Sequence, residues 1–228
     1  MIKKVPATDR HFNDFGSLKT YWLFSFSDYV DRDNMEFGAL RVFNDDIIMP
    51  GKGFPEHPHD TMEIVTVVFD GTLTHTDSMG NEATISKGEV QRMSAGKGVL
   101  HSEYNKHDTP VHLYQLWFYP NTDTTADYEQ KQVDTSITQQ TILASEHESS
   151  GVTLYSDAVV SELQFGMSST FTIRIAKGWG VLLYVREGSV IVRDVEYHKG
   201  DQARITEEEE VLLMSTEGAC VFMVETRM

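Results

Sequence analysis

The sequence predicts an all-β protein made of two copies of one β unit, and three observations lead there. Apolar residues recur with period two in short β-branched and aromatic runs, as in Glu63–Phe69 and Val181–Val185. Gly, Asn and Asp clusters close many of these runs, among them Asp70-Gly71, Gly80-Asn81, Lys87-Gly88, Glu187-Gly188 and Lys199-Gly200. Short strands at roughly ten-residue spacing, with no long amphipathic helix among them, belong to a sandwich or a barrel.

The third observation is an internal repeat. Val67–Leu73 resembles Tyr184–Val190, and Ser86-Lys87-Gly88-Glu89 resembles His198-Lys199-Gly200-Asp201. The stretch from Asn121 to Gln140 is rich in Thr, Asp and Gln, and is expected to be a linker or irregular crossing between the halves. Counting from the glycine anchors places His57 and His59 on Arg174 and Ala176, and His101 and Glu103 on Leu213 and Ser215. The second copy has therefore lost every candidate metal ligand, and any metal chemistry belongs to the first.

Composition bounds the function. The chain has 228 residues, 40% of them hydrophobic and 24% charged, which is ordinary for a globular protein. Its formal net charge is -16, and an acidic surface repels a phosphate backbone, so direct nucleic-acid binding is disfavoured. Cys220 is the single cysteine, which excludes an intrachain disulfide and fits a reducing, cytoplasmic setting. Within Ala219–Phe222 it reads as a small buried hydrophobe. The basic start has no apolar stretch behind it and is not expected to act as a secretory signal, and no run of about 18 apolar residues is present to span a membrane. A monomer is expected.

The segment from Gly51 to Asn105 carries the chemistry. It contains His57-Pro58-His59, then Glu63, then His101-Ser102-Glu103. In a strand, residues i and i+2 share a face, so His57 projects with His59 and His101 with Glu103. If the two strands adjoin, three imidazoles and a carboxylate converge, a set suited to one divalent Fe, Mn, Co, Ni, Cu or Zn ion. Four protein ligands on an octahedral ion leave two positions open for substrate or water, as in a catalytic site. One His-x-His alone is weak evidence; two such pairs bounded by glycines are much more specific.

The segment also resembles the two signatures of the cupins, double-stranded β-helix barrels that bind metal inside. Gly51-x5-His57-x-His59-x3-Glu63 closes at Gly71, one residue later than usual. Gly98-x2-His101-x3-Asn105 ends the second, with its opening Gly88 displaced and Ser94 near the usual proline. More narrowly, the chain resembles the pirin family. The carrying residues include Phe24–Tyr29, Leu40–Asn44, Pro50–Phe54, His57-Pro-His59, His75-Thr-Asp-Ser78, Gly88–Gln91, Met93–Gly96 and His101-Ser-Glu103. The match covers most of the first 120 residues, the second half agreeing only in outline. The resemblance implies two tandem cupin barrels: residues 1–130 an N-terminal metal-binding barrel, and 131–228 a C-terminal degenerate barrel without metal ligands.

Pirins bind one metal ion, commonly iron, through three His and one Glu. The resemblance implies His57, His59, His101 and Glu103 as ligands and Fe(II) as the ion. Glu63 holds the carboxylate position of many other cupins, and is expected to orient a histidine or to be a plain polar strand residue. The family is associated with quercetin 2,3-dioxygenase activity, which opens the heterocyclic ring of a flavonol with O2. A small flat aromatic substrate and O2 are the implied reactants, and Glu103 the implied base. Phe54 and Met93 are candidate substrate contacts at the mouth of the site, with core packing as their alternative. Some pirins are instead redox-sensitive co-regulators acting through protein partners, and the family resemblance leaves that reading and a different small substrate open.

The remaining candidates read as structural. His75, His107 and His112 are expected to be surface or hydrogen-bonded histidines, Tyr21–Phe24 strand core, and Glu207–Glu210 a solvated acidic turn. No P-loop or Rossmann glycine loop is present.

Overall fold

A computed structural model describes residues 1–123, 125–136, 139–147 and 151–228. Among them, strands form nearly all the regular structure, with one short 3-10 helix at Ala7–Asp9, and no helix is long and apolar enough to cross a membrane. The first barrel pairs a large sheet with a small one. The large sheet runs in the order Asp127–Gln132, Glu89–Ser94, Glu63–Asp70, Val111–Phe118, Leu40–Ile48, Leu18–Trp22, His11–Asp14. The small one runs Gly53–His59, Val99–Tyr104, Thr72–Asp77, Glu82–Ser86. The second half forms one sheet that curls on itself around Trp179–Val192, and it recruits Ile2–Val5 from the chain start onto Gln202–Ile205.

The two large sheets pack outer face to outer face. Phe43 and Tyr114 of the first meet Tyr184 and Phe222 of the second, with Phe43 5.2 Å from both tyrosine rings and 5.6 Å from Phe222. This seam buries a continuous apolar cluster from both halves. Period two then dictates that the alternate residues, Asn44, Asp46, Thr66, Gln115 and their neighbours, face the first barrel's interior.

The barrel interiors differ. The second is filled by one apolar cluster that includes Ile173, Leu183, Val190, Val211 and Leu213. In the first, two apolar clusters, Ile64/Met93/Ala95/Val99 and Ile48/Val68/Leu73/Leu113, are separate. Register places a polar row between them, because Asn44 pairs with Gln115, Gln115 with Thr66 and Thr66 with Gln91 across four adjacent strands. Buried polar side chains cost stability unless partnered. The row therefore marks the level at which this barrel does something other than pack.

The repeat is visible in the turns. Gly71 and Gly188 both adopt positive φ, 76° and 72°, and a Cβ on either would lie 2.5 Å from Pro110 O or 2.2 Å from Gly218 O. Only glycine meets both demands. Register corrects one detail of the residue count. Leu213 faces Phe171 across its strand pair, whereas His101 faces His57, so the strand equivalent to Gly53–His59 is offset by three residues from the counted position. Leu213 is fully buried in the apolar cluster, so the second barrel's centre is hydrocarbon.

The expected linker is in part a strand. Asp127–Gln132 adds to the edge of the large sheet beside Glu89–Ser94. An edge strand is half solvated, so its polar composition conceals it. Arg92, 1% exposed, holds it through Nη2 to Asp127 Oδ2 at 2.9 Å and to Glu129 Oε2 at 3.4 Å.

Candidate metal centre

Antiparallel pairing sets His57 directly opposite His101 and His59 opposite Val99. On its other side the same strand sets His101 opposite Asp77 and Glu103 opposite His75. The register shifts between His101 and Glu103, and such a bulge re-aims the side chains beside it. The rings of His57, His59 and His101 converge, with centroids 4.5–4.8 Å apart. Their potential ligand atoms all lie within 4.8 Å of one another, and His75, His101 and Glu103 form a second such group that shares His101.

Hydrogen bonding fixes the tautomers of His57 and His75 from the outside in. His57 Nδ1–H donates to Pro55 O at 2.8 Å, because a carbonyl only accepts, and this leaves Nε2 as a bare lone pair. His75 Nε2–H donates to the Asp77 carboxylate at 3.1 Å, which makes His75 Nδ1 an acceptor. That acceptor faces two candidate donors, Gln91 Nε2 at 3.4 Å and His101 Nδ1 at 3.5 Å. His101 Nε2 lies 3.1 Å from the His57 Nε2 lone pair, within hydrogen-bond distance. With both Nε2 atoms unprotonated, that spacing lets the two imidazoles share one cation.

The carboxylate fits the same reading. Glu103 is 1% exposed; Gln115 Nε2–H donates to its Oε2 at 2.8 Å, and Oε1 has no hydrogen-bond partner. Trp117 Nε1–H donates to Gln115 Oε1 at 3.1 Å, which fixes the amide flip and points its NH2 at Glu103. Burial lifts Glu103 to about 7, opposed by the Gln115 hydrogen bond. Burial and the neighbouring imidazoles push His101 down to about 2, and burial with His57 lowers His59 to about 4. Neutral imidazoles are the ligating form. An orphaned carboxylate oxygen beside neutral nitrogens is a donor set that fits one divalent ion.

A cavity of about 350 Å3 opens beside His57 and Glu103. Trp22, Phe26, Phe54 and Trp117 form aromatic walls, and Asn44 and Asp46 lie on its floor. Its volume sits at the small end of the range of about 300–1,000 Å3 for ligand pockets.

The other candidates fall as follows. Phe54 lines the cavity, while Met93 is fully buried among Ile64, Ala95 and Val99 and does not line it. Glu63 is buried on the opposite face of its strand from Ile64 and Thr66, near Ser94 and Arg92, and accepts from Tyr155 N–H at 3.4 Å. It touches none of the clustered histidines and orients none of them. His75 is fully buried and hydrogen-bonded rather than at the surface, and His112 bonds Asp45 at 2.8 Å. Cys220 is buried, but its sulfur also meets Arg186 Nη2 at 3.0 Å. Sequence reasoning missed Asp77, Gln115, Asn44 and Asp46. Gln115 stands out only as a polar residue on a mostly apolar strand, and Asp77, on the polar strand Thr72–Asp77, gives no such signal.

Comparison with known proteins agrees with this architecture. A pirin family model matches residues 6–118, and a model described as the quercetinase C-terminal cupin domain matches 141–225. A quercetin 2,3-dioxygenase of Escherichia coli K12 is 37% identical over 213 residues, 92% of each chain. The crystal structure of YhhW from Escherichia coli superposes with a TM-score of 0.95 at 34% identity, covering 99% of this chain and 97% of that one. A structure of the same bacterial pirin in complex with nickel(II) gives 0.94 at 33%, covering 100% and 99%. With the fold, the repeat and the donor set in agreement, the chain belongs to the pirin family of two-barrel cupins.

Proposed function

We propose that the chain is a metal-dependent dioxygenase that opens the ring of quercetin-like flavonols with O2, its ion held by His57, His59, His101 and Glu103. The observation that carries this is the convergence of three imidazoles whose ligand atoms lie within 4.8 Å of one another, next to an orphaned carboxylate oxygen and an aromatic-walled cavity. The relative named quercetin 2,3-dioxygenase supports the substrate class, and the nickel complex of the related pirin supports a divalent ion. Fe(II) is the proposed native ion, since imidazole and carboxylate donors with open positions suit it.

A divalent ion in this site supplies Lewis acidity and lowers the pKa of a hydroxyl that binds it. The protein's own groups do the rest. Gln115 anchors Glu103 through Oε2, leaving Oε1 to ligate the ion or, when detached from it, to take the proton of the flavonol 3-hydroxyl. Trp22, Phe26, Phe54 and Trp117 clamp the flat rings and exclude water. Asp77 fixes His75 through Nε2, and His75 packs 3.5 Å behind His101 Nδ1, where it orients the His101 ring.

The test is O2 uptake by metal-loaded protein supplied with quercetin. Steady uptake that is abolished in His101→Ala supports the proposal. Loaded wild-type protein that leaves quercetin and O2 untouched refutes it.

A further inference from the structure

We propose that Asn44 and Asp46 read the substrate's further hydroxyls, selecting flat aromatic ligands that carry hydroxyl donors besides the metal-binding group; this rests on the flavonol reading above and adds recognition to it. Both residues lie on Leu40–Ile48 at positions of the same parity and so face the barrel interior. Asn44 is 4% exposed and Asp46 2%, and both line the cavity that also contains His57 and Glu103. Asn44 Oδ1 and Asp46 Oδ1 have no hydrogen-bond partner among the described residues.

Those two oxygens are acceptors with nothing to accept. Their strand neighbours leave both oxygens unfilled in this structure. Gln115, opposite Asn44, spends its amide on Glu103 and Trp117. Leu113, opposite Asp46, has only hydrocarbon to offer, and Thr20 on the other side sits beside the Asp46 carboxyl without partnering Oδ1. A buried acceptor left empty is costly, so native proteins retain one where something else fills it.

The chemistry of the missing partner follows. It must bring hydrogen-bond donors, be flat enough for the aromatic walls, and carry no negative charge where it would meet Asp46. Phenolic hydroxyls other than the chelating one satisfy all three. A site whose buried polar groups expect a hydroxyl rejects the analogue lacking it far more strongly than an apolar pocket rejects a missing methylene.

The test compares quercetin with 3-hydroxyflavone, which keeps the chelating hydroxyketone but has no other hydroxyl. Dissociation constants are measured under argon on protein carrying one equivalent of Ni(II), for wild type, Asp46→Leu and Asn44→Ala. Wild type should bind quercetin at least about tenfold more tightly than 3-hydroxyflavone. Either variant should lose most of that preference by weakening quercetin, while keeping its nickel and its affinity for 3-hydroxyflavone. If Asp46→Leu does not fold, Asn44→Ala and the wild-type comparison decide. Equal binding by wild type, a preference untouched by the substitutions, loss of nickel in both variants, or no binding of either flavonol overturns the proposal. Asp46-dependent preference without O2 uptake would remove the dioxygenase reading and leave recognition standing; uptake without preference would do the reverse.

Discussion

Gln115 shows how one amide organises the centre. Its orientation is dictated by the Trp117 indole, and through it one oxygen of Glu103 is tied while the other is left bare. Gln115→Leu should therefore lower metal affinity by about 10–100-fold, the usual cost of losing an outer partner, as read by chelator competition. Unchanged affinity would show that Glu103 needs no anchor. Asp46 makes a second prediction. Burial raises its pKa from 3.8 to about 7, helped by charge on Asp45 and Glu103 and opposed by Thr20. A carboxyl raised in the folded state contributes stability that is full below the unfolded pKa and is lost as pH rises toward the folded one. In metal-free protein, Asp46→Asn should thus gain on wild type progressively from pH 4 to 7, by up to about 4 kcal/mol in denaturant titrations. A gap that stays constant with pH contradicts it. At this scale the sequence is half legible. His57-x-His59 and His101-x-Glu103 stand out because period two makes each pair a facing set. Asn44, Asp46 and Gln115 do not, because a buried polar strand residue looks like an exposed one until register supplies its neighbours.

Among the elements, the edge strand Asp127–Gln132 was the least visible. Its composition is that of a loop because one side faces water, and its attachment comes from a distant buried arginine. Arg92→Met should speed amide exchange selectively in Asp127–Gln132 while leaving exchange in Val111–Phe118 unchanged; uniform acceleration would mean that Arg92 supports the whole barrel instead. The turn glycines, by contrast, were plain in the sequence, since Gly71 and Gly188 recur at matching places in the repeat. Gly71→Ala combines an unfavourable positive φ with an approach to Pro110 O, and should cost about 1–3 kcal/mol of stability by chemical denaturation. A neutral effect would show that the turn relaxes freely.

For the whole molecule, two barrels from one plan have divided their tasks. The first interrupts its core with a polar row beneath the histidines. The second fills that level with Ile173, Val211 and Leu213 and presents its outer face to the shared seam. The loss of ligands from the second half was legible by counting, although register shows that one strand had been counted three residues out of place. The seam was not legible, because residues such as Phe43 and Tyr184 alternate like any strand core and nothing local says which sheet they meet. Leu213→His places an imidazole in hydrocarbon with no partner. It should cost about 2–4 kcal/mol and add no second ion, as followed by melting and metal content together.

The central claim is that His57, His59, His101 and Glu103 surround one ion, and metal content measures it most directly. Protein purified without chelator and reloaded with a divalent metal should carry one equivalent per chain by elemental analysis, and His101→Ala should carry almost none while remaining folded. Wild-type protein that retains no ion, or a folded His101→Ala that retains a full equivalent, would contradict the account.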